Sequence, residues 1–116
     1  MFNRRSGAGA SAQTTIASAA DVKRWLEAGE VVLIDVREAN ENAAESIPGA
    51  RNLPLSNFDP AQLPPVPEGK RLVFHCRSGV RCGTAADKAR AMGYGGDIYR
   101  LEGGILGWKA AGGITV

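Results

Sequence analysis

His75-Cys76-Arg77-Ser78-Gly79-Val80-Arg81-Cys82 puts a cysteine where an apolar run ends and a helix-forming segment begins. Arg71-Leu72-Val73-Phe74-His75 has the β-branched and aromatic character of a short buried strand, and Thr84 to Met92 is rich in Ala, Lys and Arg with no Gly or Pro. The order is therefore strand, tight loop, helix. A loop that wraps back over its first residue turns backbone N–H groups inward, and the helix adds the positive end of its dipole, so the centre favours negative charge. Cys76 occupies that centre. Helix N-termini and neighbouring Arg lower a thiol from about 8.5 to roughly 3.5 to 7.5, which makes the nucleophilic thiolate the resting form. Arg77 and Arg81 are the candidate cations. Gly79 permits a positive φ where a side chain would crowd the cradle, and Ser78 offers a hydroxyl to a bound anion.

The loop needs a scaffold, and the rest of the chain supplies one. Residues 1–13 are Gly, Ala and Ser rich without a hydrophobic period, which predicts a flexible leader, with one domain over 14–116. Ser18-Ala19-Ala20-Asp21 has the form of a capping box, and Val22, Trp25 and Leu26 follow at helical spacing, so a helix with a core indole should run to Gly29. Val31-Val32-Leu33-Ile34 is an apolar run ending at Asp35, as expected of a parallel strand buried on both faces. Ala39 to Glu45 predicts a short helix, and Ile47-Pro48-Gly49-Ala50 turns the chain into a brief strand ending near Leu53. Pro54 to Gly69 holds five of the six prolines and predicts a long connection with one helical turn at Asp59 to Leu63. A strand over Asp97 to Leu101 and a short helix bearing Trp108 complete the pattern. Alternating strands and helices predict a parallel α/β sheet. Ligands bind such sheets beyond the carboxyl ends of the strands, where Asp35, Cys76 and Glu102 all fall.

Composition narrows the chemistry. At 116 residues and 44% hydrophobic the chain makes a single domain with a core of its own. A formal net charge of +2, with no basic run beyond Arg4-Arg5, argues against a nucleic-acid partner. No segment reaches the about 20 apolar residues of a membrane helix, and the N-terminus lacks the apolar core of a secretory signal, so no membrane insertion is expected and the default location is cytoplasmic. Two cysteines are too few for a disulfide framework, and their spacing with a single His does not suit zinc, so neither a metal nor another cofactor is expected.

Asp35-Val36-Arg37-Glu38, Ile47-Pro48-Gly49-Ala50, the Cys76 loop, and Leu101-Glu102-Gly103-Gly104 followed by Gly107-Trp108 together resemble the rhodanese family of sulfurtransferases. The set spans roughly Thr15 to Gly112, nearly the whole chain, in the family's order. The resemblance implies a rhodanese-like α/β fold, with a mainly parallel sheet of about five strands flanked by helices on both faces. It implies that Cys76 takes a sulfane sulfur from a small anionic donor such as thiosulfate, holds it as a persulfide, and passes it to cyanide, a thiol or a sulfur-acceptor protein. Arg77, Ser78, Gly79, Val80, Arg81 and Cys82 would surround the transferred sulfur, with Asp35 and Arg37 in support. Cysteine-dependent phosphatases and arsenate reductases are the sharpest rival, but their Cys-x5-Arg loop fails here by one residue, since Cys82 stands where the clamping arginine should be.

Several of these residues also fit purely structural roles. Asp35 and Arg37 fit a structural ion pair better than direct substrate contact. His75, the one histidine, fits core packing better than a general base, because side chains alternate along a strand. Thr84 fits a helix cap. Cys82, where many relatives carry Ser or Ala, fits a small buried residue of the first helical turn, with a resolving thiol for the Cys76 persulfide as its alternative. Glu45-Ser46 replaces a Gly-His pair common in relatives. Two other classes of function stay open: a non-catalytic sulfur-carrier or docking module, and a Cys76/Cys82 dithiol redox protein.

Overall fold

Side-chain alternation decides which way each strand faces, and here it sorts the apolar residues into two layers. In the computed structural model, which describes residues 13–116, the strands are β1 (Thr14–Ala17), β2 (Val31–Asp35), β3 (Arg51–Asn52), β4 (Arg71–His75) and β5 (Ile98–Leu101). They form one sheet in the order β1-β5-β4-β2-β3, and every pair is parallel. Ile34, Leu72, Phe74 and Ile98 point to one face and pack with Cys82, Ala85, Ala86 and Ala89 of α3 (Arg81–Ala91). Leu33, Val73 and Leu101 point to the other and pack with Val22 of α1 (Ala19–Glu27) and with Ile105 and Trp108 of α4 (Gly104–Ala110). The expected α/β architecture, with helices on both faces, is thus the observed one.

Most elements fall where the sequence puts them. Ser18 caps α1 by accepting from the Asp21 amide at 3.1 Å. Glu38 and Glu41 form a reciprocal capping box on α2 (Ala39–Ala44). Four expectations need correction. The strand β1 has no counterpart in the sequence reading. The long connection carries the turn expected at Asp59 to Leu63, as a 3-10 turn over Pro60–Gln62, but also a second, unexpected one at Leu55–Asn57. Trp25 is half-buried rather than core, packed edge-on to Tyr99 with Arg71 over its ring. Finally, α3 begins at Arg81, so Thr84 is an exposed residue inside it and caps nothing. The leader expected over residues 1–13 lies, apart from Gln13, outside the described residues. Among those described, no helix is long and apolar enough to cross a membrane.

Candidate active site

Parallel pairing brings the carboxyl ends of β2, β3 and β4 level, with Asp35 opposite His75 on one side and Asn52 on the other. Cys76 follows directly, and its carbonyl is taken by α4. Ile105 N–H donates to Cys76 O at 2.8 Å and Leu106 N–H to Arg77 O at 3.2 Å. The first amides of α4 thereby fix the entrance of the loop.

The loop's exit is governed by an omission. Val80 is the N-cap of α3 and has no side chain able to accept from the first-turn amides, which are left unpaired at any helix start unless a cap supplies an acceptor. Gly83 N–H finds Val80 O at 3.1 Å, and the sulfur of Cys76 faces the amides before it. Gly79 N–H donates to Sγ at 3.0 Å, and the amides of Cys82 and Arg81 also act on it. Gly79 reaches this geometry at φ 110°, a region that glycine adopts without steric penalty.

This environment holds the Cys76 thiol down at about 5. The facing Cys82 thiol acts most strongly, burial opposes it, and the amides of Cys82, Gly79 and Arg81 add to the lowering. The two sulfurs are 4.0 Å apart. Cys82 has one proton, however, and Gly79 O lies nearer to its sulfur, at 3.0 Å. The backbone amides, which have no other acceptor to choose, are therefore the firmer part of the stabilisation. Cys82 is pushed strongly upward, first by Cys76 and then by burial, and stays a thiol.

Cys76 is 1% exposed, so its sulfur lies at the floor of the loop. Arg77, Ser78 and Val80 form an exposed rim above it. A cavity of about 370 Å³ lies beside the loop, lined by Ser78, Gly79, Val80, Arg100, Glu102 and Gly103 among others. A larger hollow at the opposite end of α3, between Pro60 to Val66 and Ala89 to Tyr94, is remote from this chemistry.

The residues expected to support the loop separate into different roles. Arg37 lies against Asp35 in a buried two-point pair, Nε to Oδ1 at 3.0 Å and Nη2 to Oδ2 at 2.8 Å, and also donates to Glu45 O at 2.6 Å. Burial opposes charge on Asp35, but Arg37, His75 and Asn42 together bring its carboxyl below the ordinary range. Arg37 thus faces Asp35, not the sulfur. Arg81 is not a free cation either, because Glu41 holds it at 2.7 and 2.9 Å. His75 is fully buried, with Nδ1 3.3 Å from Cys76 O and Nε2 3.8 Å from Asp35 Oδ1. Burial keeps it below its ordinary value against the pull of Asp35, and Nε2 has no hydrogen-bond partner.

Three contributors escaped the sequence reading. Glu41 neutralises Arg81. Asn52 donates to both Asp35 O and Arg37 O, at 3.0 and 2.9 Å, and so pins the segment after β2. Arg100 donates to Gly79 O at 2.8 Å. Its signal was present in the register of β5, since Arg100 shares a face with the buried Ile98, an inward position that seldom takes a cation.

Comparison with known proteins bears on the family and the fold. The family model described as "Rhodanese-like domain" matches residues 18–111. An uncharacterised protein of Synechocystis sp. is 44% identical over 91% of this chain, which spans 59% of that relative's length. A sulfurtransferase of Allochromatium vinosum is 33% identical over 78% of this chain and 82% of its own. Among solved structures, a human single-domain sulfurtransferase superposes with a TM-score of 0.67 at 32% identity, covering 82% of this chain and 95% of its own.

Proposed function

The chain belongs to the rhodanese-like domain family, and from that premise we propose that it is a sulfurtransferase working through a persulfide on Cys76. The observation that carries the reading is the Gly79 N–H on Sγ at 3.0 Å, in the turn that leads into α3. Cys76 attacks the outer sulfur of an anionic donor such as thiosulfate. The new S–S bond forms as the donor's own S–S bond breaks, and sulfite leaves with that electron pair. The amides that held the thiolate then hold the charged outer sulfur of the persulfide. Cyanide or a thiolate attacks that sulfur, the bonding pair returns to Cys76, and the thiolate is restored. The domain could act alone or serve an acceptor protein at the exposed rim, and the cytoplasm is the compartment we assign to it.

Intact mass after incubation with thiosulfate, followed by cyanide, tests the reading. The enzyme gains one sulfur atom and yields thiocyanate over repeated cycles, and Cys76→Ser does neither. A docking module without a reactive thiolate would fail at the first step.

The separation of 4.0 Å between the cysteine sulfurs favours a second reading, in which Cys82 attacks the Cys76 sulfur, a disulfide forms and hydrosulfide leaves. The state of Cys82 weighs against it: the thiol is buried, held on Gly79 O and kept protonated. Cys82→Ser separates the two, since transfer to external thiols survives the substitution if Cys76 works alone and fails if Cys82 is the resolving thiol.

A further inference from the structure

Gly79 touches the site with both ends. Its N–H meets the Cys76 sulfur at 3.0 Å, while its carbonyl accepts from Arg100 Nη2 at 2.8 Å and from the Cys82 thiol at 3.0 Å. A glycine at φ 110° has no side chain to hold its torsions, and a Cβ built there would meet only Gly103 N, at 3.8 Å. Packing therefore does not fix this residue. What fixes it is the grip on its carbonyl.

Arg100 is an unusual group to find in that role. Its guanidinium makes no ion pair among the described residues, and its Nε is buried without a partner. Arg100 is part-buried, and drawing a cation even partly out of water without a carboxylate beside it costs desolvation energy. The helix that follows makes room for it: a Cβ at Gly83 would stand 3.2 Å from the Arg100 guanidinium, and a glycine inside a helix costs about 1 kcal/mol relative to alanine. Two unfavourable features, a part-buried cation with no carboxylate partner and a glycine within α3, thus converge on one contact with Gly79 O.

We propose that Arg100 is a positioning residue for Cys76, acting through the Gly79 carbonyl to hold the Gly79 N–H on the sulfur. The inference rests on the thiolate reading of Cys76 given above. Arg100 does not touch the sulfur; it orients the donor that does. A cation placed on the carbonyl also keeps that oxygen, the wrong pole for an anion, turned from the sulfur.

The experiment follows the pH dependence of Cys76 alkylation by iodoacetamide, located by peptide mass, together with hydrogen exchange of the Gly79 amide. In Arg100→Met the midpoint rises by about one unit, a roughly tenfold loss of thiolate below it, and the Gly79 amide loses protection. Arg100→Lys, which keeps the charge and a donor, recovers most of the shift. A folded Arg100→Met protein with an unchanged midpoint overturns the proposal, and so does a raised midpoint with Gly79 still protected, because charge alone would then be acting. Should Arg100→Met not fold, Gly83→Ala crowds the guanidinium while improving helix propensity; the midpoint again rises, and an unchanged value overturns the proposal. An ordinary midpoint in the parent protein would instead overturn the thiolate reading itself, so the two failures are distinct.

Discussion

Arg81 closes on Glu41 through two hydrogen bonds, Nη1 to Oε1 at 2.7 Å and Nη2 to Oε2 at 2.9 Å, so the first residue of α3 is tied to α2. The pair holds Glu41 at about 2, chiefly through the hydrogen bonds from Arg81, with burial opposing. A carboxylate lowered in the folded state contributes stability above its ordinary value near 4.5 and loses that contribution as the pH falls towards 2. Both side chains are partly exposed, which keeps the contribution to about 1 kcal/mol. Glu41→Gln should therefore lower stability by about that amount at neutral pH, with the difference closing below pH 4.5, as read from urea unfolding across that range.

Cys76 adds a pH dependence of the same sign at higher pH. Its thiol is held at about 5 against an ordinary value near 9.0, so the folded chain is ionised over a window where the unfolded chain is protonated. Stability from this group is fully present above 9.0 and is lost as the pH falls through 5. The parent protein should gain stability between those limits, and Cys76→Ser should lose that slope. Alkylation of Cys76 should show its midpoint near 5, at an absolute rate below that of an open thiol, because the sulfur is 1% exposed. Denaturant titrations at several pH values and an alkylation profile check both halves.

What could be read from the sequence was local, and what could not was spatial. The buried strands β2 and β4 show as continuous apolar runs, and the turn into the Cys76 loop shows as a change of periodicity with Gly79 inside it. Strand β1 left no such mark: three of its four residues are exposed, and only its pairing with β5 at the sheet edge makes it a strand. The start of α3 was misplaced for a related reason. Val80 is not a capping residue type, so the sequence favours Thr84, whereas α3 starts at Arg81 with Gly83 N–H on Val80 O and the amides of Arg81 and Cys82 acting on the sulfur of Cys76. The partner of Arg81 lies 40 positions away, so local sequence shows the cation without its carboxylate. The fold class survives such errors, since it depends on the alternation of elements; the electrostatics of the site does not, since it depends on which charges meet.

Asp35 and Arg37 satisfy each other in a buried pair, and its removal should show in stability. Both side chains are at most 5% exposed, and Asp35 also accepts from the Arg37 amide and from Asn42. Arg37→Met leaves a buried carboxylate without its cation, which costs about 3 to 5 kcal/mol. The urea midpoint should fall accordingly with the slope unchanged, while in the folded fraction the alkylation midpoint of Cys76 should move little, because Arg37 faces Asp35 and not the sulfur. A large change in that midpoint would place Arg37 in the thiolate's field.

Gly104 sets how closely α4 can approach the loop entrance. It sits at φ 60°, and a Cβ built on it would meet the carbonyl carbon and oxygen of Arg77 at 2.5 Å. Those atoms are backbone and cannot step aside as the tip of a flexible side chain could. The same approach lets Ile105 and Leu106 donate to Cys76 O and Arg77 O, so the clash and the hydrogen bonds are two sides of one close contact. Gly104→Ala must therefore push α4 outward, release both carbonyls and strain a left-handed residue at once. The backbone strain alone is of order 1 to 2 kcal/mol, and each lost hydrogen bond adds about 1 kcal/mol, giving a fall of about 3 to 4 kcal/mol in urea unfolding. Gly79→Ala has no such clash, since its nearest foreign atom is 3.8 Å away, and should cost mainly the φ strain while raising the Cys76 midpoint. If Gly104→Ala proved the milder of the two in stability, the helix would not be holding the loop by this contact.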